Sequence, residues 1–170
     1  RDCLLSRGLG DVYKRQIILP QEFTWQGYED RLSGWRDAHF EKNITIRPSL
    51  RCKPDKNKKF SSESDIGYEA VTKLINKKIK FDAIFAMNDM LAMGCYQAAK
   101  EKKLEIPKNF SIIGFDNSVT AFNLRPTLSS IQLPIAEMTG KAIQHIFDNK
   151  NYDENYKVYV ECKLVERNSI

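Results

Sequence analysis

Five uninterrupted apolar residues, Ala83 to Met87, run directly into Asn88-Asp89 and then into a stretch of helical period from Met90 to Lys102. A half-exposed strand would alternate polar and apolar residues, so this run predicts a strand covered on both faces and followed at once by a helix. A carboxylate at Asp89 suits the helix start. The same rhythm recurs on either side. Ile17 to Pro20 (IILP) reads as a strand, followed by Tyr28, Leu32, Trp35 and His39 at helical spacing between Gly27 and Asn43. A second strand is placed in Ser49 to Cys52. Residues 61–79 then read as a helix, with Ser62 and Asp65 in capping-box spacing and Ile66, Ala70 and Leu74 along one stripe. After Pro107, Phe110 to Phe115 (FSIIGF) forms another buried strand that stops at Asp116-Asn117. Strand-to-helix units repeated in one direction predict an α/β fold with a doubly wound, mostly parallel sheet.

Past Asp116 the rhythm changes. Leu128 to Pro134 (LSSIQLP) is an extended segment closed by proline, and Ile135, Met138, Ala142 and Ile146 mark an amphipathic helix. A polar turn from Asp148 to Asn155 follows, and Val158, Val160, Cys162 and Leu164 alternate as in a half-buried strand. The first 16 residues show neither period and join abruptly to the strand at Ile17. They resemble translated sequencing-adapter read-through and are read as a non-native segment without fold information. No run approaches the roughly 18 apolar residues of a membrane helix, which points to a cytoplasmic protein.

A net charge of +5 permits contact with nucleic acid, but the densest basic run, Arg51 to Phe60, is broken by Pro54 and Asp55 and reads as a solvated loop. Cys3, Cys52, Cys95 and Cys162 have neither CxxC spacing nor histidine partners, so no metal site is expected. P-loop, GxSxG, HExxH and GxGxxG patterns are absent, and His39 and His145 stand alone. Nothing here proposes an enzyme or a cofactor. Ligands of open parallel sheets bind beyond the carboxyl ends of the strands, which singles out Asn88, Asp116 and, one turn into the first helix, Arg31. An amide, a carboxylate and a guanidinium can both donate to and accept from vicinal hydroxyls, and Phe60 could cover an apolar sugar face. Each also has a structural reading: Arg31 as a surface arginine, Asn88 and Asp116 as caps, Phe60 as a loop residue tucked onto the core.

These residues also carry a resemblance. Residues 81–117 (FDAIFAMNDMLAMGCYQAAKEKKLEIPKNFSIIGFDN), the segment LRPTLSSIQLP and the closing LVERNS are similar to the lactose/galactose (LacI/GalR) repressor family, and YEDRLSGWRDA resembles its Arg-x-x-Gly-aromatic helix. The resemblance implies a periplasmic-binding-protein-like (type I) sensor, mostly its C-terminal subdomain. Residues 17–132 would form that subdomain, 133–157 the returning helix and turn of the other one, and 158–170 the final strand and tail. It implies a sugar-type effector contacted by Arg31, Asn88 and Asp116, with Phe60 matching loosely because two extra residues precede Gly67. It implies a hinge at Gln132, Leu133 and Pro134, where Leu133 departs from the polar residue usual in the family. Operator DNA would be bound only through an N-terminal domain missing before Ile17, by a homodimer. A sugar-binding protein of a membrane transporter shares the fold and is the alternative.

Overall fold

The computed structural model describes residues 15–18, 26–46, 51–55, 57–148 and 157–170. Its central sheet contains β1 (Arg15–Ile18), β2 (Arg51–Cys52), β3 (Ala83–Ala86), β4 (Ser111–Asp116), β5 (Ser129–Gln132) and β6 (Lys163–Val165), in the spatial order β2-β1-β3-β4-β5-β6. The first five strands are parallel, and β6 runs antiparallel to β5. The helices are α1 (Gln26–Glu41), α2 (Glu63–Asn76), α3 (Asp89–Glu101), α4 (Val119–Asn123) and α5 (Ile135–Asp148). This is the doubly wound α/β arrangement, in which strand order reverses beside β1 and leaves a crevice between the ends of β1 and β3.

Alternating side chains divide the sheet into two faces. Ile84, Ala86 and Ile112 are fully or nearly fully buried, together with Leu91, Ala92, Cys95 and Val71 of α2 and α3. On the other face, Trp35 and His39 of α1 lie near Phe85, Ile113, Phe115 and Ile131, beside an apolar groove of about 390 Å³. The expected stripe of α1 is real, since Leu32, Trp35 and His39 are its buried residues.

Two glycines set the closeness of α2 and α3. A Cβ on Gly67 would stand 2.0 Å from the Leu91 carbonyl oxygen, and one on Gly94 would stand 1.8 Å from that of Ser64. The helices therefore cross backbone to backbone, which brings the first turn of α2 against the first turn of α3. The capping box at Ser62 and Asp65 forms as expected, with the Ser62 hydroxyl accepting from the Asp65 N–H and the Asp65 carboxylate accepting from the Ser62 N–H.

Three boundaries differ from expectation. β1 begins at Arg15, two residues before Ile17, because Arg15 and Gln16 pair with Ala83 and Ile84 through main-chain bonds that do not depend on apolar side chains. The helix expected from Met90 starts at Asp89, with Asn88 as its N-cap. The closing strand is only Lys163–Val165, paired with Ser130–Gln132. Val158, Cys162 and Leu164 are exposed and Val160 is half-buried, so alternation there marks a face fit for burial that the described residues do not bury. Leu19 and Pro20 of the expected first strand, Ser49 and Leu50 of the second, and the turn after Asp148 lie outside the described residues. Helix α5 carries the expected amphipathic pattern, yet none of its residues is buried. No described helix is long and apolar enough to cross a membrane.

Candidate functional site

Three of the four expected residues converge at the carboxyl ends of the parallel strands. Arg31, five residues after the start of α1 at Gln26, has a side chain only 8% exposed. Its guanidinium carbon lies 3.6 Å from the centroid of the Phe115 ring, and Nη1 donates to the Met87 carbonyl at 2.6 Å. Stacking on one face and a bond along one edge hold the planar group in a single orientation. Nη2 lies 3.8 Å from Oδ1 of Asp116, an ion pair too long for a hydrogen bond between those atoms.

Asp116 ends β4 with φ of 104°, and Asn117 follows at 52°. Both lie in a region L-residues rarely adopt, a strain that persists only when neighbours over-determine the turn. They do so here. The Asn117 N–H donates to the Ser130 hydroxyl, Arg167 donates to the Asn117 side-chain carbonyl, and the Ser118 N–H and hydroxyl both donate to Asp89. Asp89 is 1% exposed and takes a further bond from Ser130 at 2.6 Å. It fits because residue 114 is glycine: a Cβ there would stand 2.2 Å from an Asp89 oxygen. Burial pushes the Asp116 carboxyl up to about 6, opposed by Arg31 and reinforced by Asp89 and Glu63. Burial likewise lowers the Arg31 guanidinium, with Asp116 acting against it.

Asn88 occupies the end of β3 and is 6% exposed. Its Oδ1 accepts from the Leu91 N–H at 2.8 Å, capping α3, while Nδ2 donates to Glu63 at 2.7 Å and lies 3.5 Å from the Tyr28 hydroxyl. The Tyr28 hydroxyl in turn donates to Glu63 at 3.4 Å. The capping reading of Asn88 is therefore realised, and through that cap Asn88 gathers two groups absent from the expected set, Glu63 and Tyr28. Phe115 is a third. Burial, and then the nearby Glu63 charge, raise the Tyr28 phenol. Tyr28 sits on the expected core stripe and Glu63 in a helix first turn, where acids are common for dipole reasons, so neither carried a distinguishing signal.

Phe60 is not brought to this cluster. It is half-buried against the core and lines a separate cavity of about 610 Å³ with Cys52, Ile66, Ala70 and Leu74, near Lys58. It stands three residues before the start of α2 and shares that cavity with Arg51 and Cys52 of β2. Gln132 closes β5 opposite Asp116 on one side and Lys163 on the other, and Leu133 and Pro134 link it to α5.

Residues 14–170 match the model of the periplasmic binding protein-like domain family. The chain is 33% identical to the HTH-type transcriptional regulator MalR of Clostridium butyricum, covering 99% of this chain and 45% of that protein. It is also 33% identical to the ribose operon repressor of Haemophilus influenzae, covering 98% of this chain and 49% of that protein. The crystal structure of a LacI-family regulatory protein from Chloroflexus aggregans superposes with a TM-score of 0.78 at 26% identity, over 93% of this chain and 55% of the other. The chain thus spans about half the length of the curated relatives it matches. By sequence and by fold it belongs to the periplasmic binding protein-like domain family, in the form found in LacI-family transcription regulators.

Proposed function

We propose that this chain is the effector-sensing part of a LacI-family transcription regulator, a repressor of carbohydrate-utilisation genes that binds a sugar and has no catalytic activity. The observation that carries the reading is Arg31, fixed flat between Phe115 and the Met87 carbonyl at the carboxyl ends of β3 and β4, with Asp116 facing it. A rigid donor fork opposite an acceptor-only carboxylate is suited to adjacent hydroxyls, which donate and accept at once. The ribose operon repressor by its name acts on a sugar operon. Both relatives are regulators, which favours this reading over a transporter's binding protein. Operator binding would come from a helix-turn-helix domain elsewhere in the protein, acting in the cytoplasm. Dimerisation is supported by an exposed apolar patch of Met90, Val119 and Phe122, joined where the Thr120 hydroxyl meets the Met90 sulfur. Gln132, Leu133 and Pro134 would be the hinge about which α5 and its attached subdomain close over the ligand. The test is an electrophoretic assay of the complete gene product on the DNA upstream of its own gene cluster, with sugars added singly. One sugar that changes retention, with no turnover of that sugar, is expected; retention indifferent to every sugar would overturn the proposal.

A further inference from the structure

We infer that Glu63, held by Asn88 and Tyr28, makes this a site for uncharged polyhydroxyl ligands and turns away their phosphorylated or carboxylated counterparts. The inference rests on the sugar-site reading and narrows it to a ligand class. The Asn88 amide nitrogen donates to Glu63 and lies 3.5 Å from the Tyr28 hydroxyl, and its oxygen caps α3. The chemistry presented on the α2 side of the crevice is therefore a carboxylate and a phenol rather than an amide.

Two further observations point the same way. Arg31 is the cation facing two carboxylates, Asp116 and Glu63, whose fields both reach it, while Arg167 is engaged by the Asn117 side chain and the Leu128 carbonyl and lies over the Phe122 ring. The Arg31 guanidinium is committed to Phe115 and Met87, so it cannot swing out as a clamp for an anion. Helix N-termini are the usual alternative anchor for phosphate, and the two beside Glu63 and Asn88, those of α2 and α3, are closed by the protein's own side chains. Ser62 and Asp65 cap α2, Asn88 caps α3, and Glu63, Asp65 and Asp89 add negative charge to those first turns. An anionic ligand meets an unneutralised carboxylate in a partly desolvated cleft, where screening is weak. Neutral hydroxyls instead donate to Glu63 and Asp116 and accept from Arg31.

The experiment is calorimetry on the complete gene product. Aldoses, ketoses, polyols and disaccharides are each titrated beside the matching phosphate ester or uronic acid. Wild type, Glu63→Gln and an exposed control on α1, Glu29→Gln, are compared, with melting temperatures confirming the fold. Wild type is expected to bind a neutral sugar at least tenfold more tightly than its anionic counterpart. Glu63→Gln is expected to narrow that ratio several-fold, and Glu29→Gln to leave it in place. An anionic ligand preferred by wild type, or a ratio unmoved by Glu63→Gln in a folded protein, overturns the charge selection while leaving the sugar reading standing. If nothing in either series binds, the sugar reading falls and this inference with it.

Discussion

Replacing Asp89 by asparagine changes one atom and almost no volume, yet the structure predicts a large loss. Asp89 receives bonds from the Ser118 N–H at 2.7 Å, the Ser118 hydroxyl at 2.9 Å and the Ser130 hydroxyl at 2.6 Å, all at 1% exposure. Each is a bond to a charged acceptor, worth roughly 1.5–3 kcal/mol against about 1 kcal/mol for a neutral one. Asparagine also turns an N–H₂ toward at least one donor. It can put its oxygen on the Ser118 side, but its amide then meets Ser130, which already accepts from the Asn117 N–H. Weakening two bonds and inverting the third comes to about 3 kcal/mol, partly offset because a buried charge is no longer desolvated. With a urea dependence of about 2 kcal/mol per molar, the midpoint followed by fluorescence of buried Trp35 should fall by roughly 1–1.5 M. Effector affinity should fall too, since the same network holds the strained turn at Asp116. A midpoint indistinguishable from that of the exposed control Asp37→Asn would refute the reasoning.

The Gly94 and Gly34 pair separates packing from propensity: alanine at 94 must displace the Ser64 carbonyl and should cost at least about 2 kcal/mol. Alanine at Gly34, where a Cβ meets nothing within 4 Å, should raise the melting temperature through about 0.5–1 kcal/mol of helix stabilisation. Asp116 titrates near 6, above its ordinary range, so its contribution to stability is full at pH values below about 4 and is lost as pH rises through 6. Binding that needs the ionised carboxylate runs oppositely: calorimetry should show affinity falling from pH 7.5 to pH 5, with a flatter profile in Asp116→Asn. Finally, the isolated 170-residue chain should self-associate through α5, where Ile135, Ile146 and Phe147 are 58%, 73% and 82% exposed. Light scattering should show Ile146→Lys with Phe147→Lys reducing that association, and no change would count against it.

Local signals carried most of the architecture. Ser62 and Asp65 announced a capping box that forms, and Leu32, Trp35 and His39 announced the buried stripe of α1, because caps and helical period depend on neighbours a few residues away. Asn88 and Asp116 could be placed at strand ends from the strand rhythm, and Arg31 just inside the helix after the first strand from helical period. Glu63 and Tyr28 could not: Glu63 reaches Asn88 because α2 and α3 cross closely at Gly67 and Gly94, and Tyr28 comes to the same pair from a third helix, α1. Phe60 lies in the loop before α2, where neither strand rhythm nor helical period places a side chain, and it lines the separate cavity with Cys52, Ile66 and Leu74. The final strand was overextended because alternation records a side chain's suitability for a face and not the presence of a partner.

The central claim is that Arg31 and Asp116 hold the effector, and the most direct measurement is calorimetry of Arg31→Ala, Asp116→Ala and Arg36→Ala in the complete gene product against its cognate sugar. Arg36 is exposed on the same helix, five residues from Arg31. Removing either member of the facing pair should cost roughly 1.5–3 kcal/mol, about a ten- to hundredfold loss of affinity, while Arg36→Ala binds like wild type. Equal affinities across the three folded variants would contradict the account and move the site elsewhere.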